Sequence, residues 1–158
     1  MNSVADQELF SGCSNQDYSR IHAAINAGAN VNAKLEAGFN DGYSPIMVLL
    51  EDYYPYDSLV DEPTVIKCMN LLLTHGADIN YVATEQNTDY ENHVLTIVPC
   101  LKRSLAMTEF LLQNGADPNR AISEYGSPLD STQLDYGDSY QDEIDFECNN
   151  ALYLIKNL

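Results

Sequence analysis

The chain has no tryptophan, and only seven of its 158 residues are lysine or arginine, against 24 aspartates and glutamates. The imbalance gives a formal net charge of −17 at pH 7. Such a charge repels the phosphate backbone of nucleic acids and the surface of anionic membranes. The composition therefore argues against direct binding to either of them.

Long hydrophobic runs are also missing. The longest clear apolar run, Ile46 to Leu50, is far shorter than a membrane-spanning helix. The N-terminus lacks the basic and apolar regions of a secretion signal. We therefore expect a cytoplasmic protein, and 158 residues with 45% hydrophobic content predict one domain with its own core.

Motifs for catalysis and metal binding are absent from the sequence as well. The four cysteines, at positions 13, 68, 100 and 148, lack the paired spacing of a zinc site, and Cys68 and Cys148 are expected to be buried thiols. His22 is expected to be packed or partly buried in an apolar helix, and no nucleophile motif or phosphate loop accompanies it. The acidic stretch 135–147 does not have the spacing of a calcium loop. We expect no enzyme, no cofactor and no metal.

What the chain does contain is a five-residue pattern that occurs three times. The copies are Gly28–Asn32 (GANVN), Gly76–Asn80 (GADIN) and Gly115–Asn119 (GADPN), and we call each a GAxxN turn. Apolar residues at helical spacing precede each copy, in 18–27, 65–75 and 104–114. Glycine suits the left-handed residue that ends a helix, and the Asn or Asp two positions later can bond back to the local backbone. The recurrence predicts repeated structural units.

Two of the segments that follow these turns begin with a Ser-Pro pair, Ser44-Pro45 and Ser127-Pro128. We expect the serine to cap a helix and the proline to occupy its first position. Counting from Gly76 in the middle copy places Asn92 and His93 where the pair would stand, so that His93 takes the place of proline. The predicted order is helix, GAxxN turn, hairpin, capped helix.

This order resembles the ankyrin repeat. The resemblance implies an all-α fold: an ankyrin-repeat solenoid of about four helix-turn-helix units, with hairpin-like loops and inter-helix insertions. It covers residues 1–158 as a single domain, with units at about 1–27 (capping), 28–75, 76–114 and 115–158 (capping).

The repeats are longer than is usual for this family. Their glycines are 48 and 39 residues apart, whereas the family period is about 33. We locate the additional residues in the hairpin segment 33–43 and in the inter-helix segments 52–63 and 136–141. Insertions in the loops of a repeat scaffold favour a role in binding, although drift in a solvent-exposed loop is the alternative.

Many of the 11 tyrosines stand beside acidic residues in these segments. Tyrosine is well suited to interfaces, and acid combined with tyrosine complements a surface rich in lysine and arginine. For a single tyrosine, packing over its own helix is the alternative. The predicted partner-binding residues are Tyr43, Tyr53, Tyr54, Tyr56, Asp57, Asp61, Glu62, Asp89, Tyr90, Glu91, Asp135, Tyr136, Asp138, Tyr140 and Asp142.

The resemblance implies a protein that binds other proteins. A small, acidic member is similar to the ankyrin-type immunity proteins that accompany bacterial toxins and block them. We expect a non-catalytic inhibitor of a basic protein, such as a toxin that attacks nucleic acids. A general ankyrin adaptor or host-directed effector, an anti-defence protein that mimics DNA charge and an enzyme with an unrecognised site are alternatives. Either the concave groove or the edge with the inter-helix insertions could form the contact.

Overall fold

The structure, a computed structural model, describes residues 1–36, 38, 40–51, 53, 61–84, 91–97 and 105–120. This part of the chain is mostly helical. Its helices are α1 (Val4–Ser14), α2 (Tyr18–Asn26), α3 (Pro45–Glu51), α4 (Glu62–Thr74), α5 (Val94–Thr96) and α6 (Leu105–Gln113). Strands β1 (Ala83–Thr84) and β2 (Glu91–Asn92) pair antiparallel, with Ala83 opposite Asn92 and Thr84 opposite Glu91. None of the helices described has the length and apolar character needed to span a membrane.

The helices form three successive pairs, α1 with α2, α3 with α4, and α5 with α6. The first helices lie side by side, because α3 contacts both α1 and α5, and α2 contacts α4. This arrangement places the helices in two layers with the apolar core between them.

Helix α3 lies at the centre of this arrangement. Every residue from Pro45 to Leu50 is buried, as expected for a short helix that is apolar on all sides. Its largest side chains belong to one continuous core, which also includes Leu9 of α1, Leu72 of α4 and Leu95 of α5. Burying a side chain of this size contributes about 1.5–3 kcal/mol to stability.

The helix starts agree only in part with the sequence prediction. Pro45 begins α3 as expected, but the Ser44 hydroxyl does not cap it: Ser44 is buried, and its Oγ has no hydrogen-bond partner among the residues that the structure describes. The N–H groups of Met47 and Val48 donate to the Ser44 carbonyl oxygen instead, at 3.0 and 3.1 Å. The backbone alone therefore closes this helix end.

All three GAxxN turns have the predicted conformation at their glycines. Gly28, Gly76 and Gly115 have φ values of +92°, +91° and +92°. The following alanine donates its N–H to a carbonyl five residues earlier, a bond typical of helices that end in a left-handed glycine. These bonds join Ala29 to Ala24, Ala77 to Leu72 and Ala116 to Leu111, each at 3.0 Å. The prediction that the pattern ends helices is confirmed.

The side-chain hydrogen bond predicted for the second half of each GAxxN turn is also confirmed. The side-chain oxygen at the third position accepts a hydrogen bond from the N–H of the fifth, which is the local turn that short Asn and Asp side chains favour. The bonds run from Asn32 to Asn30, from Asn80 to Asp78 and from Asn119 to Asp117, each at 2.9 Å. The recurring sequence is therefore a recurring local structure.

We predict that Gly76→Val lowers the free energy of unfolding by about 2 kcal/mol, because a β-branched side chain disfavours a left-handed backbone. An added Cβ would meet no atom within 4 Å, so this cost comes from the backbone conformation and not from a clash. Urea denaturation measures the loss. Thr74→Val places the same side chain at the exposed end of α4 and is expected to change stability little. Equal losses in the two variants would contradict the prediction.

Candidate partner-binding edge

Two β-hairpins project between the helix pairs, and we call them fingers. The first finger is residues 33–43, where Leu35 N donates to the Tyr43 carbonyl and Gly42 N donates to the Leu35 carbonyl, both at 2.8 Å. The second finger consists of β1 and β2 together with Tyr81 and Val82. Hairpin-like loops were predicted at both places, and the hydrogen bonds confirm them.

The two fingers lie side by side. The Tyr81 hydroxyl of the second finger donates to the Gly42 carbonyl of the first at 3.0 Å. The Lys34 ammonium nitrogen lies 5.4 Å from the centroid of the Tyr81 ring, within the range of a cation–π contact. Tyr81, to which the sequence analysis gave no role, therefore connects the two fingers.

A second connection between units comes from the last residue of the GAxxN turns. The Asn32 side chain donates to the Gly76 carbonyl at 2.9 Å and accepts from Asp78 N at 2.8 Å. Asn80 repeats both bonds one unit later, to the Gly115 carbonyl at 2.9 Å and from Asp117 N at 2.7 Å. We call this series the asparagine ladder.

Asp6 of α1 extends the ladder toward the N-terminus. Its carboxylate accepts from Asn30 N at 2.7 Å, the bond that Asn32 makes with the next turn. The sequence analysis gave Asp6 and the final asparagines no role. The recurrence of asparagine at the fifth position of all three turns could have indicated the ladder. Nothing in the sequence around Asp6 indicates its part in it.

His93 is hydrogen-bonded to the ladder at the junction between the second and third helix pairs. Its Nε2 lies 3.1 Å from Asn80 Oδ1, and its Nδ1 accepts from Leu95 N at 3.3 Å, which caps α5. These bonds place the proton of the neutral ring on Nε2. His93 therefore occupies the place of Ser44 rather than that of Pro45, and the predicted alignment was wrong by one residue.

The environment of His93 keeps its ring neutral. The residue is fully buried, and burial, followed by the positive charge of Arg120, lowers the pKa of the ring to about 4. Asp117 and Asp78 act in the opposite direction with smaller effect. At neutral pH His93 is thus an uncharged structural group.

Two of the predicted partner-binding tyrosines are core residues. Tyr43 is 6% exposed and Tyr53 is 0% exposed, so their rings offer no anchor to a partner and this part of the prediction was wrong. The Tyr53 hydroxyl donates to the carboxylate of Glu62, so Glu62 takes part in a contact within the protein. These tyrosines have acidic neighbours in the sequence, yet their rings pack inside the fold.

Two other predicted residues lie near the surface. Asp61 is exposed immediately before α4, where it accepts from the Thr64 hydroxyl at 2.7 Å. Glu91 is half-buried in β2 of the second finger. The remaining predicted residues lie outside the part of the chain that the structure describes: Tyr54, Tyr56, Asp57, Asp89, Tyr90, Asp135, Tyr136, Asp138, Tyr140 and Asp142.

The first finger adds carboxylates that the sequence analysis missed. Glu36 is exposed and Asp41 is half-buried, and both belong to a finger that Tyr81 holds beside the one with Glu91. The Glu36 carboxylate lies 2.8 Å from the N-terminal ammonium nitrogen and also accepts from Asn2 N at 3.1 Å. We call the two fingers with these three carboxylates the acidic finger edge. The length of segment 33–43 was recognised in the sequence, but only Tyr43 was selected from it.

Several basic side chains are held by internal partners. Arg20 Nε lies 2.8 Å from Glu8, which lowers the pKa of that carboxyl. The Lys67 ammonium nitrogen lies 4.3 Å from the centroid of the Tyr18 ring. His22 is exposed, and its ring stacks with that of Tyr18 at a centroid separation of 6.2 Å. The prediction that His22 is packed in the helix was therefore wrong.

The buried thiols do not have the character of nucleophiles. Burial raises the pKa of the Cys68 thiol to about 11, and burial also raises that of Cys13. The prediction that Cys68 is buried is confirmed, while Cys148 lies outside the described residues. Within the described ranges, no three His, Cys, Asp or Glu side chains are grouped so that they could hold a metal ion.

No protein-family model matches the chain, and no curated protein matches it. The assignment of this edge to a function therefore depends on the residues and contacts given above.

We predict that Asn80→Ala lowers the free energy of unfolding by about 1–2 kcal/mol, because it removes partners from the Gly115 carbonyl and from Asp117 N. Asn80→Asp keeps an acceptor but loses the donor and should have an intermediate effect. The matched control is Asn70→Ala on the exposed side of α4, where alanine favours the helix. Chemical denaturation ranks the three variants, and an Asn80→Ala protein as stable as the control would disprove the role of the ladder.

Proposed function

We propose that the chain is an ankyrin-repeat protein. Three features support this assignment: helix pairs in two layers, GAxxN turns with the same hydrogen bonds, and hairpin fingers between the pairs. The asparagine ladder supports it further, since it joins each turn to the next with equivalent bonds. Repeat proteins of this kind are stabilised by contacts between neighbouring units, which leaves one continuous edge available for binding.

We further propose that the protein is a non-catalytic inhibitor that binds and blocks a basic protein, such as a toxin that attacks nucleic acids. The formal charge of −17 supports a positively charged partner. Complementary charge accelerates encounter and selects against wrong partners. An enzyme that binds nucleic acid presents a basic cleft of the kind that an acidic surface can occupy.

The observation that carries the proposal is the alignment of the two fingers. The Tyr81–Gly42 hydrogen bond holds the finger that carries Glu36 and Asp41 beside the finger that carries Glu91. Asp41 and Glu91 are the carboxylates that we propose for the contact, because Glu36 is paired with the N-terminal ammonium. The ammonium group of Lys34, the basic residue of the first finger, lies over the Tyr81 ring. The acidic finger edge is therefore the contact we propose, in preference to the edge with the inter-helix insertions, where Tyr53 and Glu62 bond to each other.

Affinity capture from the native cell at two salt concentrations tests the proposed function. We expect one basic protein to be retained at low salt and released in part at high salt, because salt screens attraction between exposed charges. Inhibition of that protein's activity by the purified chain would complete the test. Capture of no basic protein at low salt would overturn the proposal.

With the partner in hand, we predict that Glu36→Gln, Asp41→Asn and Glu91→Gln together slow association about tenfold at low salt and weaken its dependence on salt. The control combines Glu51→Gln, Asp61→Asn and Glu109→Gln, which remove the same charge from the end of α3, the start of α4 and helix α6. Stopped-flow kinetics measures both. Equal slowing by the two triple variants would exclude the acidic finger edge as the local contact, and unchanged rates in both would exclude electrostatic steering.

A further inference from the structure

His93 bonds both to the asparagine ladder and to the start of α5 at the junction between the second and third helix pairs. Its Nε2 contacts Asn80, the residue that binds the Gly115 carbonyl and Asp117 N of the next turn. Its Nδ1 accepts the N–H of Leu95 in the first turn of α5. The backbone N–H of His93 bonds to the Thr96 hydroxyl at 3.1 Å. The ring of one histidine thus links the ladder to the start of α5, in addition to the ladder bonds of Asn80 and the packing of α3 on α5.

The preceding junction provides an internal comparison. Asn32 makes the same ladder bonds as Asn80, but the residue in the place of His93 is Ser44, whose Oγ has no hydrogen-bond partner among the described residues. Serine is also too short to reach across as the imidazole does. The titratable connection is therefore particular to the junction between the second and third pairs.

We propose that protonation of His93 opens this junction, so that α5, α6 and the turn at 115–119 unfold locally in acid while the first two helix pairs stay folded. Protonation turns Nδ1 into a donor that faces the N–H of Leu95, and two donors cannot bond to each other. The bond by which the His93 ring caps α5 is lost, and a positive charge is left in a buried site. Val94–Thr96 is the first turn of α5, and α6 packs on α5, so loss of this bond acts at the start of the helix on which α6 packs.

The groups that face His93 fix the sign of the effect. Arg120 opposes protonation, and Asp117 and Asp78 favour it. The effect of burial is larger than the effects of these charges, and the pKa of the folded ring falls from its usual 6.5 to about 4. Because the open state binds the proton more tightly, the junction has its full stability above pH 6.5. It loses that stability as the pH falls toward 4.

Hydrogen exchange of the full chain at pH 7.5 and pH 5.0, corrected for the intrinsic effect of pH on exchange, tests this proposal. The two pKa values predict that the opening constant for amides of α6 rises by about 30-fold between these conditions. Amides of α2 are expected to change much less. Equal acceleration in α2 and α6 would show that the whole protein unfolds together, which would overturn the proposal of local unfolding. Exchange in α6 that does not respond to pH would overturn it as well.

Two variants assign the effect to the residue. His93→Ser reproduces the residue found at the preceding junction, and we expect it to abolish the response of α6 to pH. His22→Ser removes an exposed histidine of α2 and should leave the response unchanged. A response that survives in His93→Ser would exclude His93 as its source.

A measurement on the unmodified chain covers the case in which His93→Ser does not fold. Nuclear magnetic resonance titration of the His93 ring is expected to show the proton on Nε2 at pH 7.5. It should also show titration well below the usual pKa of histidine. A ring that titrates near 6.5 without any change in α6 would overturn the proposal.

Discussion

The double hydrogen bond of a single side-chain amide determines how the units of this protein stack. The amide of Asn32 or Asn80 both donates to and accepts from the backbone of the following turn. An aspartate in the same place could only accept, and an alanine could do neither. Because the fingers follow directly from these turns, the same bonds also determine the separation of the fingers. The acidic finger edge therefore depends on bonds of Asn32 and Asn80 in which no carboxylate takes part.

Part of the acidity of the chain has a structural explanation. Asp78 and Asp117 accept backbone N–H groups within their own turns, Asp17 caps α2 and Asp6 extends the ladder. Although partial burial raises the pKa of Asp6, the N–H groups of Asn30 and Ser3 lower it overall. These carboxylates stabilise the fold and also contribute to the negative field around it. Part of the large formal charge is thus structural, and the recognition that we propose concerns the carboxylates of the fingers.

The tyrosines illustrate the limit of local sequence in predicting a binding surface. Tyr53 directly follows Asp52 and Tyr43 lies two residues after Asp41, but both rings are buried. Tyr81 has no acidic residue directly beside it, yet it joins the two fingers. Whether a tyrosine is exposed depends on the helix or hairpin that covers it, and that element is distant in the sequence. For this reason the sequence predicted that the loops carry acid and tyrosine but did not predict which residues form the edge.

The features predicted correctly from the sequence are those whose hydrogen bonds are local. The left-handed glycines, the bonds that end the helices and the side-chain turns of the GAxxN pattern all join residues at most five positions apart. The contacts between units, in contrast, follow from tertiary packing. Asn32 and Gly76 are 44 residues apart, and His93 and Asn80 are 13 apart. No periodicity of the chain specifies such partners, because they meet only after the apolar faces of the helices have packed.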